Sequence, residues 1–180
     1  MVVMRTVLVA WKKGITSFAQ TYLVEIDEST AWFGRLGNGG AHWEPDYLAL
    51  GMAANGWGMG ADRLERQAAM LDAETVAGAG LGKLAGGKIL DKYKAEIAEN
   101  AASYEVQGRS ALADHKATFE IPVAELAAAT LTDKLPKGAP PALKPTPGPY
   151  AEAQFNGKKW FLIGLPETPP LSEVIDAAKG

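Results

Sequence analysis

Thr21-Tyr-Leu-Val-Glu-Ile26, Asp27-Glu28-Ser29 and Thr30-Ala-Trp-Phe-Gly-Arg-Leu36 decide the fold class. The two flanks are rich in β-branched and aromatic residues, which suit a pleated, half-buried surface. The short polar residues between them bond nearby backbone and favour a turn. The segment is expected to form a β-hairpin that ends at Gly37-Asn-Gly-Gly40. Upstream, Val2 to Trp11 is β-branched and apolar and reads as a preceding strand. Its apolar part after Arg5, Val7 to Trp11, is shorter than the core of a signal peptide.

Residues 46–104 change character. Alanine, glycine, methionine and charged residues dominate, and β-branched residues thin out. Asp62 is placed to cap a helix over 63–71, with Leu64, Ala68 and Leu71 on one face. A second helix is expected over about 84–102, with Leu84, Ile89, Tyr93 and Ile97 as its apolar positions. The glycine-rich stretch Val76 to Lys88 between them reads as helical and closely packed.

Strands resume at Ala117-Thr-Phe-Glu-Ile121. Pro122 to Ala124 suggests a short turn, and Leu126 to Leu131 a further strand. Leu135 to Pro149 holds six of the 11 prolines, which disfavours regular structure. Tyr150-Ala-Glu-Ala-Gln-Phe155 and Lys158-Lys-Trp-Phe-Leu-Ile163 flank Asn156-Gly157, the strongest short hairpin signal in the chain. Pro170 to Ala178 gives a short C-terminal helix with Leu171, Val174, Ile175 and Ala178 on its apolar face.

The 180 residues fit one domain, 1–180, with a helical insertion at about 46–114. The net charge is −3 and is spread evenly along the chain. No third is basic enough to attract a nucleic acid or an anionic membrane by charge alone. There is no cysteine, which removes disulfides, thiolate nucleophiles and Cys-ligated metals and fits a cytoplasmic setting. No apolar run approaches the roughly 20 residues of a membrane span.

The order of strands, glycine-rich helix, strands and terminal helix resembles a group of bacterial pleckstrin-homology-like (GRAM-like) domains. The residues that carry the likeness are Tyr22 to Leu36, Gly78 to Glu99, Phe119-Glu-Ile-Pro-Val-Ala-Glu-Leu126, Tyr150 to Ile163 and Pro170 to Ala178. The resemblance implies an α+β fold: a bent antiparallel sheet or partial barrel with a C-terminal helix. It also implies a non-catalytic module that binds a protein or a lipid headgroup. The long proline-rich connection and the short last helix depart from the pattern.

Motifs with chemical content are few. Gly82-Lys-Leu-Ala-Gly-Gly87-Lys88 has the spacing G-x-x-x-x-G-K, but Ile89 stands where Mg²⁺ needs a hydroxyl. A small nucleotide-binding protein or enzyme using Gly78 to Lys88 is therefore the alternative. Gly78, Gly82 and Gly86 recur every four residues and are better read as a helix-packing face. His42-Trp-Glu44 has the H-x-E spacing of zinc deaminases without their cysteines, and a solvated loop is the preferred reading. His115 reads as an exposed turn residue. No catalytic residue, metal or cofactor is expected. Trp43, Met52, Trp57 and Met59 cluster among glycines, and they are the candidate contact segment for a protein partner or a second copy. A membrane surface is a weaker possibility.

Overall fold

The computed structural model describes residues 1–14, 19–38, 76–134, 136–137, 149–165 and 168–180, with side chains from residue 91 onward in the first helix. The chain divides into two compact units. One comprises Met1–Gly39, Ala95–Leu135 and Pro147–Gly180; the other comprises Gly40–Lys94 and Pro136–Thr146. In the second unit the main described element is the helical stretch 76–94.

Among the described residues the first unit is α+β, with one seven-stranded sheet. The strands are β1 (Val2–Lys12), β2 (Gln20–Asp27), β3 (Thr30–Asn38), β4 (Phe119–Pro122), β5 (Thr130–Thr132), β6 (Tyr150–Phe155) and β7 (Lys158–Gly164). Four helices accompany them: α1 (Val76–Gln107), α2 (Ser110–Ala113), α3 (Val123–Ala127) and α4 (Leu171–Lys179). The strand order is β4-β3-β2-β1-β7-β6-β5, and every neighbouring pair is antiparallel.

Local chemistry explains both hairpins. Asp27 Oδ1 accepts from the Ser29 and Thr30 amides at 2.9 and 2.7 Å, closing the β2–β3 turn. Asn156 and Gly157 both have positive φ, 50° and 73°, as the tight β6–β7 turn demands. Strand β3 continues through Gly37 to Asn38, past its expected end. Thr21 faces Gly37 and Tyr22 faces Arg35, so Leu36 is an extra residue, a bulge.

The sheet is strongly curled. Phe33 on β3 and Phe155 on β6 lie four strands apart, about 19 Å in a flat sheet at ~4.8 Å per strand. Their ring centroids are 5.4 Å apart. Phe119 on β4 and Trp160 on β7, also four strands apart, meet at 4.9 Å. Edge strands β4 and β5 do not pair, so the curl stays open. Helix α3 joins them, burying Leu126 completely.

The inner face holds the main core, including Leu8, Val24, Ile26, Phe33, Ile121 and Leu162. Helix α4 packs here through Leu171, Val174, Ile175 and Ala178, the four positions expected from the sequence. It starts beside Gly164, a residue that pairs with Leu8, well away from the end of β1. The outer face carries a smaller core of Leu23, Trp32, Leu36, Tyr104 and Leu112, with Ile97 and Ala101 of α1 against it. Trp32 lies flat over Gly34, where any Cβ would overlap its ring and come within 2.9 Å of Leu112 Cδ1.

One expectation is corrected, and one helix boundary is extended through a stretch already read as helical. Pro122 to Ala124 is not a turn followed by a strand from Leu126. Pro122 caps a helical turn, Val123–Ala127, and only Thr130–Thr132 is extended. An apolar run of this length fits either state, and the buried Leu126 facing the inner core decides for helix. The helix expected over 84–102 is one continuous helix over 76–107 that takes in the glycine-rich stretch. The 63–71 helix lies outside the described residues.

Thr6 on β1 is 5% exposed, and its hydroxyl has no hydrogen-bond partner among the described residues. A buried hydroxyl without a partner costs about 1–3 kcal/mol. Thr6→Val keeps the shape and removes the polar atom. It is expected to raise the thermal midpoint, by roughly 1 kcal/mol of stability. A lower midpoint in a melting experiment means that the hydroxyl is satisfied.

Candidate functional site

Two groups of charged side chains stand on opposite faces of the curled sheet. The outer one is a self-satisfied network. Arg5, Glu25, Trp32 and Glu120 form a row across β1, β2, β3 and β4 in register. The Glu25 side chain is 5% exposed. Its Oε1 accepts from Arg5 Nε at 3.2 Å and from the Tyr104 hydroxyl, and its Oε2 accepts from Arg109 Nε at 2.6 Å. Arg109 lies 5.2 Å over the Trp32 ring and also reaches Glu120 at 3.4 Å. Arg5 lies 5.1 Å over the Tyr104 ring.

Burial pushes the Glu25 carboxyl up, but the hydrogen bonds from Tyr104, Arg109 and Arg5 and the charge of Arg109 more than offset it. The net shift is downward. Three donors from this chain converge on the carboxylate, so the network ties α1 and α2 to the sheet.

The inner group is different. At the end of the curl where β1 and β3 finish and β2 and β4 begin, a cleft of about 510 Å³ opens between β1–β4 and the β6–β7 hairpin. Its cations come from separate elements: Lys12 from the end of β1, Arg35 from β3, Lys116 from the turn before β4, and Lys158 from β7. Among the described residues no aspartate or glutamate lines it. The floor is aromatic. Half-buried Phe119 and Trp160 lie 4.9 Å apart, tilted by 34°. Buried Phe155 and Tyr22 lie beneath, 5.9 Å from Trp160 and 5.5 Å from Phe119 respectively.

Sheet geometry sets this arrangement. Inward positions alternate along each strand, so Lys12 follows Leu8 and Ala10, and Lys158 precedes Trp160 and Leu162. The bulge at Leu36 comes just after Arg35, which stays opposite Tyr22. Leu36 and Gly37 can then both meet α1, where Asn100 Nδ2 donates to the Leu36 carbonyl at 2.7 Å.

Arg35 is the buried cation, its side chain 10% exposed. Its Nε donates to Gln20 Oε1 at 2.7 Å and its Nη1 to Glu96 Oε1 at 2.6 Å. Lys116 and Lys158 have no acidic partner among the described residues. Lys158 lowers the Lys12 ammonium from its usual value through a side-chain hydrogen bond and charge repulsion. At the rim, the Asn156 amide donates to Glu125 Oε2 at 2.8 Å.

His115 is exposed in its turn, as the sequence suggests, and it also borders the cleft. Desolvation and the Arg35 charge lower its pKa, partly offset by Glu96. Its Nδ1 accepts from the Ala117 amide at 3.1 Å, so the neutral ring carries its proton on Nε2. Burial raises Tyr22 to about 12, Arg35 opposing it, and burial with the Glu25 hydrogen bond raises Tyr104 to about 12.

A tyrosine whose folded pKa is raised contributes stability fully present below its unfolded value. That stability is lost as pH rises through the folded value. The protein is therefore expected to lose stability from about pH 10, the unfolded tyrosine value, towards 12. Phe substitution at Tyr22 or Tyr104 is expected to reduce the loss in an alkaline unfolding series. A stability flat over this range contradicts the burial of both hydroxyls.

Of the residues singled out from sequence, His115 borders the cleft. Trp43, Met52, Trp57 and Met59, with His42, Glu44 and Asp46, lie outside the described residues. Gly78, Gly82 and Gly86 lie on α1. The G-x-x-x-x-G-K segment lies inside that helix, where the amides bond to carbonyls one turn back. Sequence reading missed the cleft. Among the described residues no group of three or more His, Asp or Glu is placed to hold a metal, and no helix is long and apolar enough to cross a membrane. No protein family, curated protein or solved structure matches the chain.

Proposed function

We propose that this chain is a non-catalytic binding module of pleckstrin-homology-like architecture, and that the inner cleft seats an anionic group of its ligand. The observation that carries this reading is the cleft lining: four cations from four elements, no carboxylate among the described residues, and an aromatic floor. A cleft lined mostly by charges of one sign focuses its field and raises the local concentration of counter-ions. The architecture rests on the next-neighbour strand order, the open curl and a C-terminal helix that begins away from the cleft. A cytoplasmic setting is part of the same reading and rests on the cysteine-free composition. The nucleotide-site alternative gains nothing from a glycine-rich segment that is helical throughout.

Calorimetric titration with inorganic pyrophosphate tests the seat. Saturable binding is expected, weakened about tenfold or more by Lys158→Glu, a loss of roughly 1.4 kcal/mol. Glu96 competes with the ligand for Arg35, so Glu96→Gln is expected to tighten binding roughly three- to tenfold, the range of one charge-assisted contact. Pyrophosphate binding that ignores both substitutions places the anion elsewhere.

A further inference from the structure

We infer that the ligand of this cleft is a small anion carried on a flat apolar body, an aryl phosphate or an aryl carboxylate, and not an all-polar polyphosphate. The inference rests on the anion seat proposed above and concerns what lies beneath the charge.

The cations and the rings are layered. Lys116 and Lys158 are exposed at the rim, whereas Phe119 and Trp160 are half-buried below them. These two rings are tilted by only 34° at 4.9 Å, and Phe155 and Tyr22 back them from inside the core. Phe119 packs on Trp160 at 4.9 Å and on Phe33 at 4.7 Å, so the rings form a rigid apolar stack bordering the cleft, its supports fixed by strand pairing. A polyanion lowered onto that surface would give up hydration there and meet no donors. A flat hydrocarbon removes the same water favourably and stacks on the rings. Its acid group then stays at the level of the lysines and of the His115 Nε2 proton.

The volume agrees. About 510 Å³ falls in the range of small-molecule sites and leaves room well beyond one phosphate group. Arg35 adds direction. Gln20 and Glu96 already hold its Nε and Nη1, so it is fixed as a wall of the site and not as a loose cation that wraps a polyphosphate.

The test compares four probes on the full chain: naphthyl phosphate, naphthol, orthophosphate and inositol hexakisphosphate. Naphthyl phosphate is expected to bind about tenfold tighter than orthophosphate, and about tenfold tighter than the uncharged naphthol. Phe119→Leu is chosen because it keeps an apolar side chain in the core. It is expected to lower naphthyl phosphate affinity several-fold while leaving orthophosphate unchanged, with unaltered circular dichroism confirming the fold. Lys158→Glu is expected to weaken both phosphates. If inositol hexakisphosphate binds tightest and the ring adds nothing, the aryl inference is wrong and the anion seat stands. If no anion binds, both fall. If naphthol binds as well as its phosphate, the site is apolar and the lysines are incidental.

Discussion

Phe33→Ala is expected to destabilise the protein by roughly 3–5 kcal/mol, the usual range for removing a buried phenylalanine ring. Phe33 is fully buried and stands where the two ends of the curl meet. Its ring stacks on Phe119 at 4.7 Å and 7°, meets Tyr22 edge-on at 5.9 Å and touches Phe155 at 5.4 Å. Those partners belong to β4 and β2, which pair with β3, and to β6, which does not, so one truncation also loosens a contact across the curl. Chemical denaturation is the check. A loss of less than about 1 kcal/mol is too small for a ring at the centre of the core. It would mean that the sheet is flatter than the ring distances require.

The second large effect is expected at Glu25. Glu25→Ala leaves the buried Tyr104 hydroxyl without its acceptor and removes the anion that Arg5 and Arg109 share. The orphaned hydroxyl alone costs about 1–3 kcal/mol. The two arginine side chains are 49% and 36% exposed, so water takes over much of their solvation and the pairs add little. A total near 2–3 kcal/mol is expected on these grounds. Glu25→Gln keeps an acceptor for Tyr104 and is expected to lose less.

The two variants also differ from wild type in acid. The folded carboxyl of Glu25 lies below its unfolded value, so its stabilisation is complete above about pH 4.3, the unfolded glutamate value. It is lost as pH falls through the lowered folded value. Glu25→Gln is expected to flatten that part of the acid limb. An acid limb identical to wild type would show that Glu25 is not ionised in the folded protein.

Much of this fold was legible in the sequence because its signals are local. Asp27 closes its turn through its own side chain, and Asn156-Gly157 adopts positive φ on both residues; each effect acts within three or four residues. The α4 face is read from helical spacing, and the same four residues are buried. Helix α3 was not legible. Val123 to Ala127 is a short apolar run, and only the position of Leu126 over the inner core distinguishes helix from strand.

The cleft was invisible for a different reason. Its residues run from Lys12 to Trp160, and the charge of each third of the chain is close to balanced. Folding separates what the sequence mixes: the acids near Arg5 and Arg109 go to the outer face, and Lys12 of β1 and Lys158 of β7 turn inward. One faint signal was present. Lys12 and Lys158 fall on the same alternation as core residues of their strands, so both had to point inward.

NMR mapping with inorganic pyrophosphate tests the proposed anion seat in that cleft most directly. Saturable shifts of the Trp160 indole N–H, the His115 ring and the Lys116 and Lys158 amides are expected, with the Arg5–Glu25–Arg109 face unmoved. Shifts confined to that outer face, or none at any concentration below precipitation, would contradict it.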